Sequence, residues 1–211
     1  MNATQTAQSA GNDTLLRDFE ESLKTITSKT GGDESIDARK KLMQLGRNFD
    51  AVTVQPVAEK LVAVLPTITD YTSRYTTLTL LGDMGQKNSQ SAQTVVKGLA
   101  NYITQEKDSG LTYMAGQKLA ALGSRFPALA EDAAAAIASA MTQEKDHYAR
   151  QSLSFSLATL GHISEGARDI AVTALGETLG TEKDTLARCL TAGTIADFGV
   201  QSPKTAQQTL E

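Results

Sequence analysis

The chain of 211 residues carries a formal net charge of −4, two histidines, one cysteine and no tryptophan. The lone Cys189 excludes an intrachain disulfide, and the mild acidity gives no electrostatic reason to bind nucleic acid or an anionic membrane. Aromatic residues make up only 5%, few for a single-core globule, whereas stacked helices manage with Ala and Leu.

Residues 1–12 are small and polar, which predicts a disordered N-terminus without the apolar stretch of a secretory signal. That points to a cytoplasmic chain. A Ser/Thr/Gln-rich export leader over Ala3 to Thr14 is the alternative. From residue 13 one ordered domain is expected to run to residue 211. It opens with an amphipathic helix over 13–30, whose apolar side is Leu15, Leu16, Phe19, Leu23 and Ile26. Thr30-Gly31-Gly32-Asp33 ends that helix, which is suited to cap an exposed terminal face. A helical hairpin over about 33–69 follows, with Leu42, Leu45 and Gly46 closing its first helix and Val57, Leu61 and Leu65 striping its second.

From Asp70 onward the chain repeats itself. Thr104-Gln-Glu-Lys-Asp108 and Thr142-Gln-Glu-Lys-Asp146 are identical and 38 residues apart, and Thr181-Glu-Lys-Asp184 ends a further 38 on. Asp70, Asp108, Asp146 and Asp184 hold that register, as do Gly85, Gly123, Gly161 and Gly199. The units are therefore about 70–107, 108–145, 146–183 and 184–211. In each first helix Leu81, Leu119, Leu157 and Ile195 align, followed three residues later by Met84, Leu122, Leu160 and Phe198. Gly comes next, where a left-handed residue can end a helix. Asn88, Ser164 and Ser202 then suit N-caps, with Pro127 and Pro203 one position further on.

The second helices carry Val95, Ala133 and Ala171, then Leu99, Ile137 and Leu175, then Ile103, Met141 and Leu179. A spacing of four places each set on one helical face. The Asp closing each Glu-Lys-Asp turn is placed to cap the following helix, and the Glu reads as part of a solvated turn. The last unit reads as truncated, its second helix starting at Pro203 with the chain stopping at Glu211. The Ala-rich stretch is interrupted by Glu131 and Asp132, so it cannot be a membrane span.

Asp70 to Arg74, Asp146 to Arg150 and Asp184 to Arg188 each form an Asp-x-x-x-Arg start that alternates with a Leu-Gly ending. In this the chain resembles HEAT-like repeats, closest to the short bacterial units also seen in phycobilin lyases, over about residues 33–211. The unit from 108 departs from the pattern, with Thr112 in place of Arg. The resemblance implies an all-α, right-handed α-solenoid of about five hairpins behind an N-terminal capping helix. In such repeats Arg and Asp often pair along the stack, and Thr112 interrupts any continuous ladder.

No nucleophile elbow, phosphate-binding loop, dinucleotide fingerprint or zinc-protease motif occurs. His147, His162 and Cys189 do not make a zinc-ligand set, and Cys189 is expected to be a small packed side chain. Neither a metal nor a cofactor is expected. What remains is a surface. The second helices of a solenoid commonly line its concave side, and the outward positions are Gln93, Lys97 and Asn101, then Glu131, Ala135 and Ser139, then Asp169, Thr173 and Glu177. That row is mixed to acidic, and its middle is small-sided at Gly98, Ala135, Ala136, Ala138 and Ser139. Ala134 and Ala140 are core under any register. The expected function is a non-enzymatic scaffold or adaptor that binds another protein along this groove. The alternatives are a bilin-lyase-like or other small-molecule enzyme on the same scaffold, and a bacterial immunity or effector-type inhibitor.

Overall fold

The structure is a computed structural model that describes residues 3–28, 31–51 and 53–201. Among these the secondary structure is helical throughout, with ten α-helices, two short 3-10 turns and no strand. The chain forms two compact units, Met1–Val95 and Val96–Glu211.

In the first unit, α1 (Ala3–Ser28) and α2 (Asp33–Gly46) pack together, and α4 (Tyr71–Gly85) packs against both α2 and α3 (Val54–Val64). Helix α1 starts at Ala3, so it takes in most of the polar segment expected to be disordered. Ala and Gln are tolerant of helix there. Its buried face is Phe19, Leu23 and Ile26, while Leu15 and Leu16 are half-buried. Phe19 meets Phe49 edge to face, ring centres 5.2 Å apart. Gly31 and Gly32 break the chain between α1 and α2, both at φ 81, where a Cβ would be strained. Val57, Leu61 and Leu65 are buried as expected, and Leu45 is half-exposed.

In the second unit, α6 (Ser109–Arg125), α7 (Ala130–Gln143), α8 (His147–Gly161), α9 (Glu165–Thr181) and α10 (Thr185–Gln201) follow one another. Each packs on the next, and α6 on α8, α7 on α9 and α8 on α10. The division between the units falls within α5 (Ser89–Ile103). The recurring apolar positions are interior: Leu119, Leu122, Leu157, Leu160 and Phe198 are fully buried, and Ile195 nearly so. Ala133, Ile137, Met141, Ala171 and Leu175 are buried along the second helices, with Leu179 half-buried. Ala134 and Ala140 are core.

Why the Asp and Glu recur is visible in the turns. Asp70, Asp108, Asp146 and Asp184 each accept the amide three residues on, at 2.8, 3.0, 2.9 and 2.8 Å. Such a cap contributes about 1 kcal/mol. Asn88 and Ser164 cap their helices in the same way. The glutamates are structural too. One carboxylate oxygen of Glu106, Glu144 and Glu182 accepts both following amides, those of Lys107 and Asp108, Lys145 and Asp146, and Lys183 and Asp184. The triplet is thus a self-bonded turn that delivers the next N-cap, which corrects the reading of the Glu as merely solvated.

The recurring glycines need a different correction. Among the described residues only Gly31 and Gly32 have positive φ, so Gly85, Gly123, Gly161 and Gly199 do not end helices by turning left-handed. Helices α6 and α10 run on past Gly123 and Gly199. At Gly123 and Gly161 the cause is a close approach. A Cβ on Gly123 would collide with Leu160, and one on Gly161 would lie 2.5 Å from the ring of Phe198. Gly123 and Gly161 each receive the large side chain that precedes the next repeat's glycine. The N-cap Ser202, Pro203 and the abbreviated final helix lie outside the described residues.

Candidate functional site

The row expected to face a partner lies on three helices. Gln93 falls in the first unit, and Lys97 and Asn101 on the part of α5 in the second, all three exposed. Glu131, Ala135 and Ser139 are exposed on α7. On α9, Thr173 and Glu177 are exposed and Asp169 is half-buried. Because α7 packs on α9, four of these residues meet. Ser139, Asp169, Thr173 and Glu177 line an open cleft of about 440 Å³ with Ala138, Thr142, Ile170 and Ala174.

The cleft owes its shape to small side chains. Ala138 and Ala174 bring little bulk between the two helices, and Ile170 is the one large apolar side chain in the lining. Thr142 and Thr173 return their hydroxyls to carbonyls on their own helices, those of Ser139 and Asp169, both at 2.9 Å. Their methyl groups are left as the remaining apolar surface. Asp169 and Glu177 stand two turns apart on α9, giving the cleft an acidic side. Glu131 lies elsewhere: its carboxylate rests against Gly166 in the first turn of α9, leaving no room there for a Cβ. A helix N-terminus favours a carboxylate in that place. Ala136, grouped with the small groove residues, is buried.

No protein-family model matches the chain, and no curated protein matches it significantly in sequence.

The remaining candidate residues are scattered. The ring of His147 lies 3.9 Å from that of Tyr148, and His162 packs on Phe198 at 5.0 Å. Cys189 is exposed, which corrects its expected packing: on α10 it falls off the stripe through Ile195 and Phe198. Among the described residues no three His, Cys, Asp or Glu side chains are grouped to hold a metal, and no helix is long and apolar enough to cross a membrane.

Two features escaped the sequence reading. The first is a set of exposed rings on first helices. Tyr113 on α6 and Phe155 on α8 border a second cleft of about 560 Å³, with Phe155 51% exposed. Their signal was available, because Phe155 lies two residues from Leu157 and so off its helix's buried stripe. The second is the buried ion pair between Arg150 and Glu182, 2.7 Å apart. Glu182 is only 8% exposed. The Asp184 amide, and then Arg150, hold its carboxyl below the ordinary 4.5. In the first unit burial pushes the Asp70 carboxyl up. Hydrogen bonds from Ser73 and the guanidiniums of Arg39 and Arg74 outweigh burial, leaving the group below 3.8.

A pH dependence follows. A carboxylate with a lowered folded-state pKa contributes stability that is present above its unfolded value and lost as pH falls through the folded one. Acid should therefore destabilise the second unit progressively below pH 4.5, the ordinary value for Glu182. Glu182→Gln should be less stable than the parent at neutral pH and converge on it in acid. Urea melts at about pH 7 and about pH 3 check this; a constant difference between the two chains would remove Glu182 from the acid response.

Proposed function

We propose that the chain is a right-handed HEAT-like solenoid that acts in the cytoplasm as a non-enzymatic, protein-binding scaffold. The observation that carries this reading is the cleft between α7 and α9, where four residues of the expected row gather around an apolar floor open to solvent. An open cleft of small side chains suits the edge of a partner segment, which can approach the helix backbones closely and bury area against Ala138, Ile170 and Ala174. The acidic side formed by Asp169 and Glu177 favours a partner segment bearing basic groups next to small apolar ones. The helix order supports the solenoid: from α6 to α10 each helix packs on its successor and on the one after. The Asp caps and Glu turns supply a repeated corner.

The test is a double substitution, Thr173→Arg with Glu177→Lys, which fills the cleft and reverses its charge. Both positions are exposed, so the thermal melt should change by no more than about 0.5 kcal/mol. Partner recovered from source-cell extract on the immobilised chain should fall at least about tenfold, as expected for blocking the centre of an interface. Undiminished recovery moves the binding surface off this cleft.

A further inference from the structure

The unit beginning at Asp108 lacks an arginine that the next unit uses. In that next unit Arg150 donates from Nη1 to the carbonyls of Glu144 and Lys145, at 3.0 and 2.8 Å. Its Nε and Nη2 both reach Glu182 Oε2, at 3.1 and 2.7 Å. One guanidinium thus joins its own turn to the carboxylate of the following turn.

Shifted back by one repeat, the same acceptors are the carbonyls of Glu106 and Lys107 and the carboxylate of Glu144. The residue in the place of Arg150 is Thr112, too short to reach them. Glu144 Oε1 holds the Lys145 and Asp146 amides and accepts from Ser109 at 2.9 Å. Its other oxygen, the counterpart of the one bound by Arg150, has no donor among the described residues. Where Arg150 stands the cleft measures about 470 Å³; its counterpart at Thr112 measures about 770 Å³.

Thr112 itself is 3% exposed and lines this cleft, and its hydroxyl has no hydrogen-bond partner among the described residues. The buried helical threonines Thr77 and Thr178 instead return their hydroxyls to the carbonyl four residues back. A buried hydroxyl left unmatched costs free energy until a ligand or solvent pairs it. The charged residues around the cleft are Glu106, Glu144 and Asp146, with Lys107 and Lys145, both exposed.

We propose that this cleft is a guanidinium-binding site, which takes an arginine side chain or a free guanidino compound in the place that Arg150 fills one repeat later. A planar fork of donors matches two carbonyls and a carboxylate, whereas an ammonium offers its donors from a single atom without that fork. The site does not depend on the α7–α9 cleft binding a partner.

The full chain is titrated with ethylguanidinium, with capped N-acetyl-arginine-N-methylamide and with free arginine, using ethylammonium as the control. Amide shifts of residues 104–112 and 140–146 are followed by NMR. Guanidinium probes should give saturable shifts, and ethylammonium should bind at least about tenfold more weakly. Tighter binding of the capped arginine marks a protein side chain as the source, and tighter binding of free arginine marks a small molecule; either supports the site. Thr112→Arg should abolish the saturable shifts by filling the cleft from within, and Glu144→Gln should weaken them at least about tenfold. Absence of saturable shifts with every guanidinium probe overturns the assignment. So does binding that survives both substitutions.

Discussion

Leu157→Asp should abolish the cooperative melt of the second unit, while Phe155→Asp, two residues away on the same helix, should leave it nearly intact. Leu157 is fully buried in α8, which packs against α6, α7, α9 and α10. Removing its side chain alone, as in Leu157→Ala, costs about 2–5 kcal/mol through lost transfer energy and an unfilled cavity. An aspartate adds the cost of a carboxylate with no partner, which either stays charged in an apolar site or takes up a proton. Against a total stability of about 5–15 kcal/mol for a domain, the sum is enough to unfold it. Phe155 is 51% exposed, so its replacement should cost about 1 kcal/mol or less. Far-UV circular dichroism melts of the three variants decide it. If both aspartates shift the midpoint equally, the assignment of the buried stripe is wrong.

That contrast also shows which parts of the molecule could be read in advance. Hydrophobic phase is a local property, fixed by a period of 3.6 residues, so the interior positions of α4 and α6 to α10 were visible in the alignment of the repeats. The aspartate caps were visible for the same reason, since a cap acts within three residues of itself. Legibility ended where a residue answers to something distant. Gly123 and Gly161 recur because Leu160 and Phe198 arrive from the following unit, yet a glycine before a turn looks the same whether it bends the chain or admits a neighbour. Glu182 looked like one more surface carboxylate because its partner Arg150 stands a repeat away. The cleft between α7 and α9 was half legible. Outward positions could be assigned helix by helix, and Ser139, Asp169, Thr173 and Glu177 are four of them that line it. The inward turn of Glu131 toward Gly166 depends on the fit of α7 to α9, and no pattern within one helix encodes it.

The glycines give the second large effect, and its coupling to Phe198 distinguishes the two explanations. Glycine inside a helix costs about 1 kcal/mol relative to alanine, so replacement helps wherever space allows. Gly176 on α9 has nothing within 4 Å of an added Cβ, and Gly176→Ala should raise stability by about 0.5–1 kcal/mol. At Gly161 three atoms of the Phe198 ring would lie 2.5, 2.9 and 3.3 Å from the new carbon. A ring that is fully buried cannot swing aside without moving α10, and overpacking of this kind costs about 1–3 kcal/mol. The propensity gain does not cover that, so Gly161→Ala should lower the melting midpoint. Pairing it with Phe198→Leu, which shortens the incoming side chain, should recover part of the loss, as contacting residues couple in a double-mutant cycle. If Gly161 instead served to end α8 by turning left-handed, alanine there would also destabilise, through backbone strain, but Phe198→Leu would give only its own cavity cost with no coupling. Denaturant midpoints for the two single variants, the pair and Gly176→Ala separate these outcomes.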